Sequence, residues 1–345
     1  MGRIKRMALA LGIAAAVSGG VLASGATAAK PIQIAVFYYN PSPYGVASYK
    51  AAIVEAKKLG GIQITTFDAN NDPTAQNTQM TDAITTGKYK AFWVWALNGV
   101  AEAPVIRQAE AKGIKVAVAD YTLGDLNSQL TLTPTKGLVS TIGSNIGVQE
   151  QAFVTLIKQA CTAKVGATGT CNVAFMPGLS NYPTDTLRIS YMQQVLSGNI
   201  HLMLTPPGLY SQPTSQQVAL TYFQAKPNIQ VFGSFGDQMT AGALTAFQQI
   251  GIVPGKDLLV LGSGGTNEVA AQIKAGTVFG TVALYPSTES VIAIKSLVAA
   301  IHGQKVPTTI NVIDKNHPLI INQAFLNSKA GKAWKPDWSL TGAPF

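Results

Sequence analysis

The feature that most constrains this chain is an alternation of short apolar runs with longer amphipathic segments, which occurs twice along the sequence. The first series predicts strands at 32–37, 62–67, 91–97 and 114–119, and helices at 46–59, 72–86 and 101–112. Asp72 followed by Pro73 is typical of a helix start. Strands that are apolar on both faces favour a parallel sheet covered by helices.

The second series predicts another unit of the same kind. Its strands are expected at 172–176, 200–204, 229–234, 257–262 and 277–284, with helices at 147–160, 185–198, 214–225, 238–250 and 266–275. A further helix at 287–302 and an extended segment at 308–314 follow. A chain of 345 residues exceeds the length at which one core stops growing, so two domains are expected.

The amino-terminal segment 1–29 has the composition of an export signal. Arg3, Lys5 and Arg6 precede an uncharged apolar run that ends in small residues. We expect cleavage near Ala28 and a periplasmic location. No later run reaches the roughly 20 apolar residues of a membrane span, and no cysteine for lipid attachment stands at the cleavage site, so no membrane anchor is expected.

Charge and cysteine content narrow the function classes. Loss of the three signal residues lowers the formal charge from +9 to +6, and the remaining basic residues are scattered, which argues against nucleic-acid binding. Cys161 and Cys171, the only cysteines, are expected to form a disulfide in an oxidising compartment. The three histidines form no ligand cluster, so neither a metal nor another cofactor is predicted.

Aromatic and polar residues recur where the predicted strands end. In open parallel sheets, ligands bind outside the carboxyl ends of the strands. Tyr38, Tyr39 and Tyr44 follow the first strand. The other strand ends contribute Trp93, Trp95, Asp120, Tyr121, Tyr182, Phe235, Gly236, Asp237, Ser263, Gly264, Gly265 and Tyr285. This composition suits a small molecule with an apolar face and some hydrogen-bonding groups.

Several of these positions have a second interpretation. Strand alternation implies that one of Trp93 and Trp95 faces the core, and Tyr38 and Tyr39 divide in the same way. Asp120 could instead cap the next segment, and Arg188, inside a predicted helix, could be a surface residue. The glycines at 264 and 265 lack the spacing of a nucleotide-binding loop.

The order and spacing of these segments resemble the periplasmic sugar-binding proteins of the ribose type, over roughly residues 31–320. The matching stretches are 40–44, 67–72, 114–120, Arg188 with Met192, 231–244 and 259–266. The resemblance implies an α/β fold of type I, with two doubly wound parallel-sheet lobes joined by three crossing hinge segments. The amino-terminal lobe would comprise 30–142 and 286–315, and the carboxy-terminal lobe 143–285 and 316–345.

The resemblance also implies a ligand-binding set between the lobes. Ser42, Tyr44 and Tyr210 stand at an amide and two aromatic positions of the family, and Asp120 and Arg188 match its carboxylate and its second-lobe arginine. Trp95 replaces an amide, and Tyr121 stands where arginine often follows. The complete predicted set is Tyr39, Ser42, Tyr44, Trp95, Asp120, Tyr121, Arg188, Tyr210, Gly236, Asp237, Gly264 and Tyr285.

Three departures from the family pattern bear on the ligand. Gly236 and Gly264 stand where the family has amide or carboxylate side chains, and Leu284 stands where it has glutamine. A hydroxyl buried without a partner costs about 1–3 kcal/mol, so a ligand with fewer hydroxyls or a larger body than ribose is expected. A modified sugar, a polyol or an aromatic acid would fit, and Arg188 would pair with an acid.

The implied function is capture of a small molecule and its delivery to the permease of an ATP-driven importer (an ABC importer), by a protein expected to be monomeric. Presentation of the loaded protein to a membrane receptor kinase or chemoreceptor is the alternative. Sugar-responsive repressors share the segment order, but they carry a DNA-binding motif where this chain has an export signal. An enzyme is not expected, because G-x-S-x-G is absent and the histidines lie at scattered positions.

Overall fold

The computed structural model describes residues 30–119, 123, 132, 134–180, 182–225 and 228–338. The predicted export signal at 1–29 lies outside the described residues. So do Asp120 and Tyr121, two members of the predicted ligand-binding set.

The first sheet has six strands among the described residues, and they all run parallel. They are β1 (Ile32–Tyr38), β2 (Ile62–Asp68), β3 (Ala91–Val94), β4 (Lys115–Ala119), β5 (Ser140–Gly143) and β11 (Thr309–Asn311), in the order β11-β5-β4-β3-β1-β2. Every residue of β3 and β5 is buried, because helices cover both faces of the sheet centre.

In the part of the chain that the structure describes, the second sheet also has six strands, of which the edge strand β12 is antiparallel. They are β6 (Cys171–Met176), β7 (Ile200–Leu204), β8 (Val231–Ser234), β9 (Leu259–Gly264), β10 (Gly280–Ala283) and β12 (Ile320–Asn322), in the order β12-β10-β9-β8-β6-β7. The other neighbouring pairs are parallel.

Helices connect the strands, and most begin at a side chain that caps the first turn. They are α1 (Pro43–Leu59), α2 (Pro73–Thr85), α3 (Gly99–Ala111), α4 (Ile146–Val165), α5 (Pro183–Val195), α6 (Gln212–Gln224), α7 (Asp237–Gln249), α8 (Asn267–Lys274), α9 (Pro286–Ile301), α10 (Gln323–Asn327) and α11 (Lys329–Ala333). Asp72 caps α2 with Pro73 at its first position, which confirms the predicted helix start. Ser42 caps α1 in the same way.

Within the described residues, the chain passes between the two sheets three times. It leaves the first sheet after β5 for α4, which packs against β6 and β10, and it leaves the second sheet after β10 for α9, which packs against β3, β4 and β5. The third passage joins β11 to β12. The predicted fold class, two parallel-sheet lobes with three crossing segments, is therefore confirmed.

Some predicted element limits differ from the structure. The strand predicted at 91–97 ends at Val94, because the buried side chain of Gln76 takes over the hydrogen bonding there. Its Nε2 donates to the Trp95 carbonyl at 2.8 Å, and its Oε1 accepts from the Leu97 amide at 2.9 Å. The strand predicted from 277 begins at Gly280, since the amides of Thr277 and Val278 bond to the end of α8 instead.

The predicted disulfide is present. It joins Cys161, in the last turns of α4, to Cys171, the first residue of β6, with 5.6 Å between the α-carbons. This distance is ordinary for a disulfide. The bond lies at the amino-terminal edge of the second sheet, opposite the edge where the strands end.

Candidate ligand-binding site

A cavity lies between the loops that follow the carboxyl ends of strands in both sheets. Tyr39, Tyr44 and Leu97 follow strands of the first sheet. So do Ile146 and Gln149, but they belong to α4, which packs against the second sheet. The second sheet contributes Leu179, Tyr182, Thr184, Arg188, Tyr210, Phe235 and Leu284. The centres of water molecules can occupy about 60 Å³ of it. One water needs about 10–15 Å³ on this measure, so in this conformation the cavity has room for a compact ligand.

Aromatic rings form the wall on the side of the first sheet. The rings of Tyr39 and Tyr44 lie 6.1 Å apart and nearly parallel, and the Tyr44 ring meets Trp95 edge-on at 6.4 Å. The Tyr44 hydroxyl donates to Oε2 of the buried Glu289 at 2.5 Å. Because Ser42 caps α1 with its hydroxyl, Tyr44 comes in the first turn of the helix, next to the end of β1.

Arg188 on α5 is the central charged group of the opposite wall. The residue is 7% exposed, its Nε donates to Oε1 of the buried Glu150 at 2.5 Å, and its guanidinium lies 3.7 Å from the centre of the Phe235 ring. Nη2 is buried and has no hydrogen-bond partner among the described residues. This cavity-lining side chain therefore holds a donor that a ligand oxygen could use.

Asp185 positions a second aromatic wall residue. Its carboxylate accepts from the Tyr210 hydroxyl at 2.7 Å and from the Leu179 amide at 2.8 Å, so both partners of this buried group line the cavity. Tyr210 has a φ of 51°, a left-handed conformation that is uncommon for residues other than glycine. The tyrosine ring also needs Gly178, since a Cβ at that position would lie 2.1 Å from the Tyr210 ring.

Burial and pairing set the charges of this cluster. Burial raises the pKa of Asp185 to about 6, against the opposing charge of Arg188. Burial also raises the pKa of Glu150, although Arg188 again opposes the shift. For Arg188, burial acts to lower the pKa, but the neighbouring Glu150, Tyr210 and Asp185 raise it above its ordinary value. At neutral pH, Arg188 is thus a cation that already has carboxylate neighbours.

Four members of the predicted ligand-binding set line the cavity: Tyr39, Tyr44, Arg188 and Tyr210. The predicted division of neighbouring tyrosines also appears, because Tyr38 turns away and packs its ring 5.1 Å from Tyr49 on α1. Arg188 is buried, which removes its interpretation as a surface residue.

Six other members lie outside the lining, and most of them are engaged elsewhere. Ser42 and Gly236 are the residues that precede α1 and α7, and Trp95 is buried behind Tyr44 against Trp93. The remaining three are Asp237, Gly264 and Tyr285. Asp237 accepts from the Thr266 amide at 2.8 Å and the Thr281 hydroxyl at 3.1 Å, Gly264 accepts from Trp338, and the Tyr285 hydroxyl donates to the Pro318 carbonyl at 2.6 Å.

Sequence reasoning missed the contribution of helix first turns in the second lobe. Ile146 and Gln149 line the cavity from the start of α4, with Glu150 beside them. Asp185 lies in the first turn of α5. The available signal was position, since α4 is the first helix after the carboxyl end of β5 and α5 the first after that of β6, so the first turn of each helix lies near the edge where the strands of its preceding sheet end.

The described residues contain neither a group of three or more His, Cys, Asp or Glu side chains placed to hold a metal ion nor a helix long and apolar enough to cross a membrane.

Comparison with known proteins agrees with this fold. The family model described as "Periplasmic binding protein domain" matches residues 34–305. The ribose import binding protein of Bacillus subtilis (strain 168) is 25% identical over 272 residues, which cover 78% of this chain and 81% of that protein.

Solved structures show the same fold. A solute binding protein of an ABC transporter from Bacillus halodurans C-125, with bound myo-inositol, has a TM-score of 0.73 at 17% identity and covers 89% of this chain and 100% of its own. Another from Mycobacterium smegmatis, with bound glycerol, has a TM-score of 0.71 at 23% identity, covering 88% of this chain and 96% of its own. Since the family model spans most of the sequence, the chain belongs to the periplasmic binding protein family.

Proposed function

We propose that this protein binds a small, uncharged, hydroxyl-bearing ligand between its lobes outside the cytoplasm and delivers it to the permease of an ABC importer. The observation that carries the proposal is the cavity between the two sheets, which combines tyrosine rings from both sides with the buried donor of Arg188. The B. subtilis relative is named for ribose import, and the two structural neighbours hold myo-inositol and glycerol.

The charges of the cavity favour a neutral ligand over an acid. An acid would need the charge of Arg188, but Glu150 already lies 2.5 Å from Arg188 Nε, and Asp185 is the third member of the same buried cluster. The carboxylate of the ligand would be a further anion desolvated beside Glu150 and Asp185, which is costly. A hydroxyl group could accept from Arg188 Nη2 without adding charge, so a sugar or polyol is preferred to the aromatic acid.

The ring-rich lining favours a ligand with an apolar face and few hydroxyls. Beyond Arg188, the described lining has few side chains with hydrogen-bonding groups, such as Gln149, Thr184 and the tyrosine hydroxyls, of which those of Tyr44 and Tyr210 already donate to carboxylates. On the family resemblance, Asp120 would supply a further carboxylate for ligand hydroxyls. We therefore expect a deoxy or otherwise modified sugar, or a short polyol.

The remaining parts of the proposal follow from the resemblance and the family. The lobes would comprise 30–142 with 286–315 and 143–285 with 316–345, and they would close over the ligand. The segment 1–29 would direct export and be removed near Ala28. No step of this function requires covalent chemistry, so the protein is proposed to be a binding protein and not an enzyme.

A thermal-shift screen followed by calorimetry would test the ligand class. The panel holds myo-inositol, glycerol, D-ribose, a deoxy sugar and benzoate, each at the same concentration. We expect at least one neutral compound to raise the melting temperature, because a ligand at 100 times its Kd adds about 2.7 kcal/mol of stability. Benzoate should leave the melting temperature unchanged, because its charge is disfavoured beside Glu150 and Asp185. Asp257→Asn, in an exposed loop, is the control variant and should keep the response.

A shift with benzoate alone would overturn the neutral-ligand proposal. Chemical turnover of a bound compound during calorimetry would contradict the assignment as a binding protein.

A further inference from the structure

The carboxy-terminal segment lies beyond the part of the chain that the family model matches, which ends at residue 305. After α11 it places two side chains deep in the molecule. Asp337 and Trp338 are each 3% exposed. Burial of a carboxylate and of an indole N–H requires specific hydrogen-bond partners.

Asp337 caps the first turn of α9. Its Oδ2 accepts from the amides of Ser287 and Thr288 at 2.6 and 3.1 Å, and its Oδ1 accepts from the Thr288 hydroxyl at 2.6 Å. A carboxylate at this place satisfies two unpaired amides and interacts favourably with the helix dipole. The residue that precedes α9, Tyr285, makes no capping bond with its own side chain, so Asp337 supplies a cap from 50 residues away.

Trp338 contacts both lobes. Its Nε1 donates to the carbonyl of Gly264, at the end of β9 in the second sheet, at 2.8 Å. Its ring meets the Tyr44 ring edge-on at 5.7 Å, and Tyr44 belongs to α1 on the first sheet. Gly264 is the position where the resemblance leads one to expect a carboxylate side chain; here its backbone carbonyl holds the tryptophan.

The two contacts converge on one wall of the cavity. Tyr44 lines the cavity and donates its hydroxyl to Glu289, which lies in the first turn of α9, the turn that Asp337 caps. Asp337 therefore fixes the helix turn that holds the tyrosine hydroxyl, while Trp338 packs against the tyrosine ring and anchors to the other lobe.

We infer that Asp337 and Trp338 are positioning residues of the ligand site, which hold the Tyr44–Glu289 wall in place and tie it to β9 across the hinge. They act through Tyr44 rather than by touching the ligand. The expected effect of these residues on ligand affinity rests on the proposed function. Their expected effect on the relative position of the lobes does not.

The first measurement needs no ligand. Spin labels at positions 100 and 217, exposed sites on α3 and α6, report the distance between the lobes by pulsed electron paramagnetic resonance, with the native disulfide left oxidised. Asp337→Asn and Trp338→Ala are expected to broaden the distance distribution and shift it from the wild-type peak. Asp257→Asn removes another carboxylate that accepts from a backbone amide, in an exposed loop, and should leave the distribution unchanged.

The second measurement is calorimetry with the neutral compound of the panel that binds best. We expect Trp338→Ala and Asp337→Asn to raise Kd at least tenfold. Trp338→Phe, which keeps a smaller aromatic ring but loses the bond to Gly264, should raise it several-fold. If Trp338→Ala does not fold, Trp338→Phe and Thr288→Val, which removes one donor to Asp337, carry the test.

Folded variants with a wild-type distance distribution and wild-type Kd would overturn the inference. If the wild-type protein binds none of the neutral compounds, the proposed function fails, and the distances alone decide whether the segment positions the lobes.

Discussion

Substitutions in the buried Arg188–Glu150 ion pair can separate the effect of Arg188 on folding stability from its effect on ligand binding. Removing one partner of a buried ion pair leaves the other charge unpaired and costs about 3–5 kcal/mol. We predict that Arg188→Met lowers the free energy of unfolding by this amount, because Glu150 is fully buried beside it. The double variant Arg188→Met/Glu150→Gln should recover most of that loss and still fail to bind ligand. Urea denaturation and calorimetry measure the two effects.

The matched control is Arg107→Met on the exposed face of α3, where the expected change is within about 0.5 kcal/mol. If the double variant bound ligand as well as the wild-type protein, Arg188 would have only a structural role.

Single residues were predictable where one local rule decides their place. Tyr39 and Tyr44 follow from the rule that ligands bind where parallel strands end, and both line the cavity. Asp237 and Tyr285 satisfy the same rule, but their polar atoms bond to Thr281 and Pro318, which are 44 and 33 residues away. Such long-range partners have no local sequence signal, so a position at a strand end could not reveal them.

At the scale of elements, the disulfide should stabilise the second lobe without serving the site. It closes a ten-residue separation between α4 and β6, for which loop entropy predicts about 2–3 kcal/mol. Cys161→Ser/Cys171→Ser should therefore lose this much unfolding free energy and keep its ligand affinity, since the bond and the cavity lie at opposite ends of β6, roughly 16 Å apart.

The control for the disulfide prediction is the wild-type protein under reducing conditions, which should show the same loss in urea denaturation. A large change in Kd for the serine variant would instead indicate that the lobe deforms as far as the cavity.

The turn between β9 and α8 depends on a buried carboxylate, which makes its contribution pH-dependent. Burial raises the pKa of Asp237 to about 6 from an ordinary value of 3.8, although the Thr266 and Thr281 hydrogen bonds oppose the shift. The folded state thus binds this proton more tightly than the unfolded state does. The stability that this group contributes is fully present below about pH 4 and is lost as the pH rises through about 6.

Asp237→Asn isolates this contribution, because asparagine does not titrate. The quantity to follow is the difference in unfolding free energy, variant minus wild type. We predict that this difference rises by about 2–3 kcal/mol between pH 4 and pH 7, because the wild-type protein loses stability at 1.36 kcal/mol per pKa unit and the variant does not. Other titrating groups cancel in the difference, as does the constant cost of the lost acceptor. Urea denaturation across this range measures it, and a difference that stays level with pH would contradict the assignment.

Elements were predicted well where periodicity and caps agree, as in α2, which begins at Pro73 after its Asp72 cap. The end of β3 was not predicted. The Trp95 amide still donates to the Phe37 carbonyl, but beyond it Gln76, a residue of α2, bonds to the Trp95 carbonyl and the Leu97 amide in place of the ladder. Apolar side chains at 95–97 therefore extend the predicted strand beyond the point where its backbone pairing stops.

At the scale of the whole molecule, the family resemblance gave the two-lobe architecture, whereas the contacts between the crossing segments had no sequence signal. The second and third crossings are bonded to each other: the Ala283 amide donates to the Leu319 carbonyl at 2.7 Å, and the Tyr285 hydroxyl donates to that of Pro318 at 2.6 Å. The Tyr285 ring also meets His317 edge-on at 4.9 Å. Any motion of one lobe against the other must move these two segments together.

Tyr285→Phe tests this coupling, since it removes the hydroxyl and keeps the ring. The lost hydrogen bond leaves the Pro318 carbonyl without this partner, at a cost of about 1–3 kcal/mol. We predict faster amide hydrogen exchange in 312–319, more than 25 residues from the substitution, as well as next to it. Tyr222→Phe, on the half-buried surface of α6, is the control and should leave this segment unchanged. Faster exchange confined to the residues around 285 would mean that the two crossings move independently, and the hinge would then be two separate connections in place of one bonded unit.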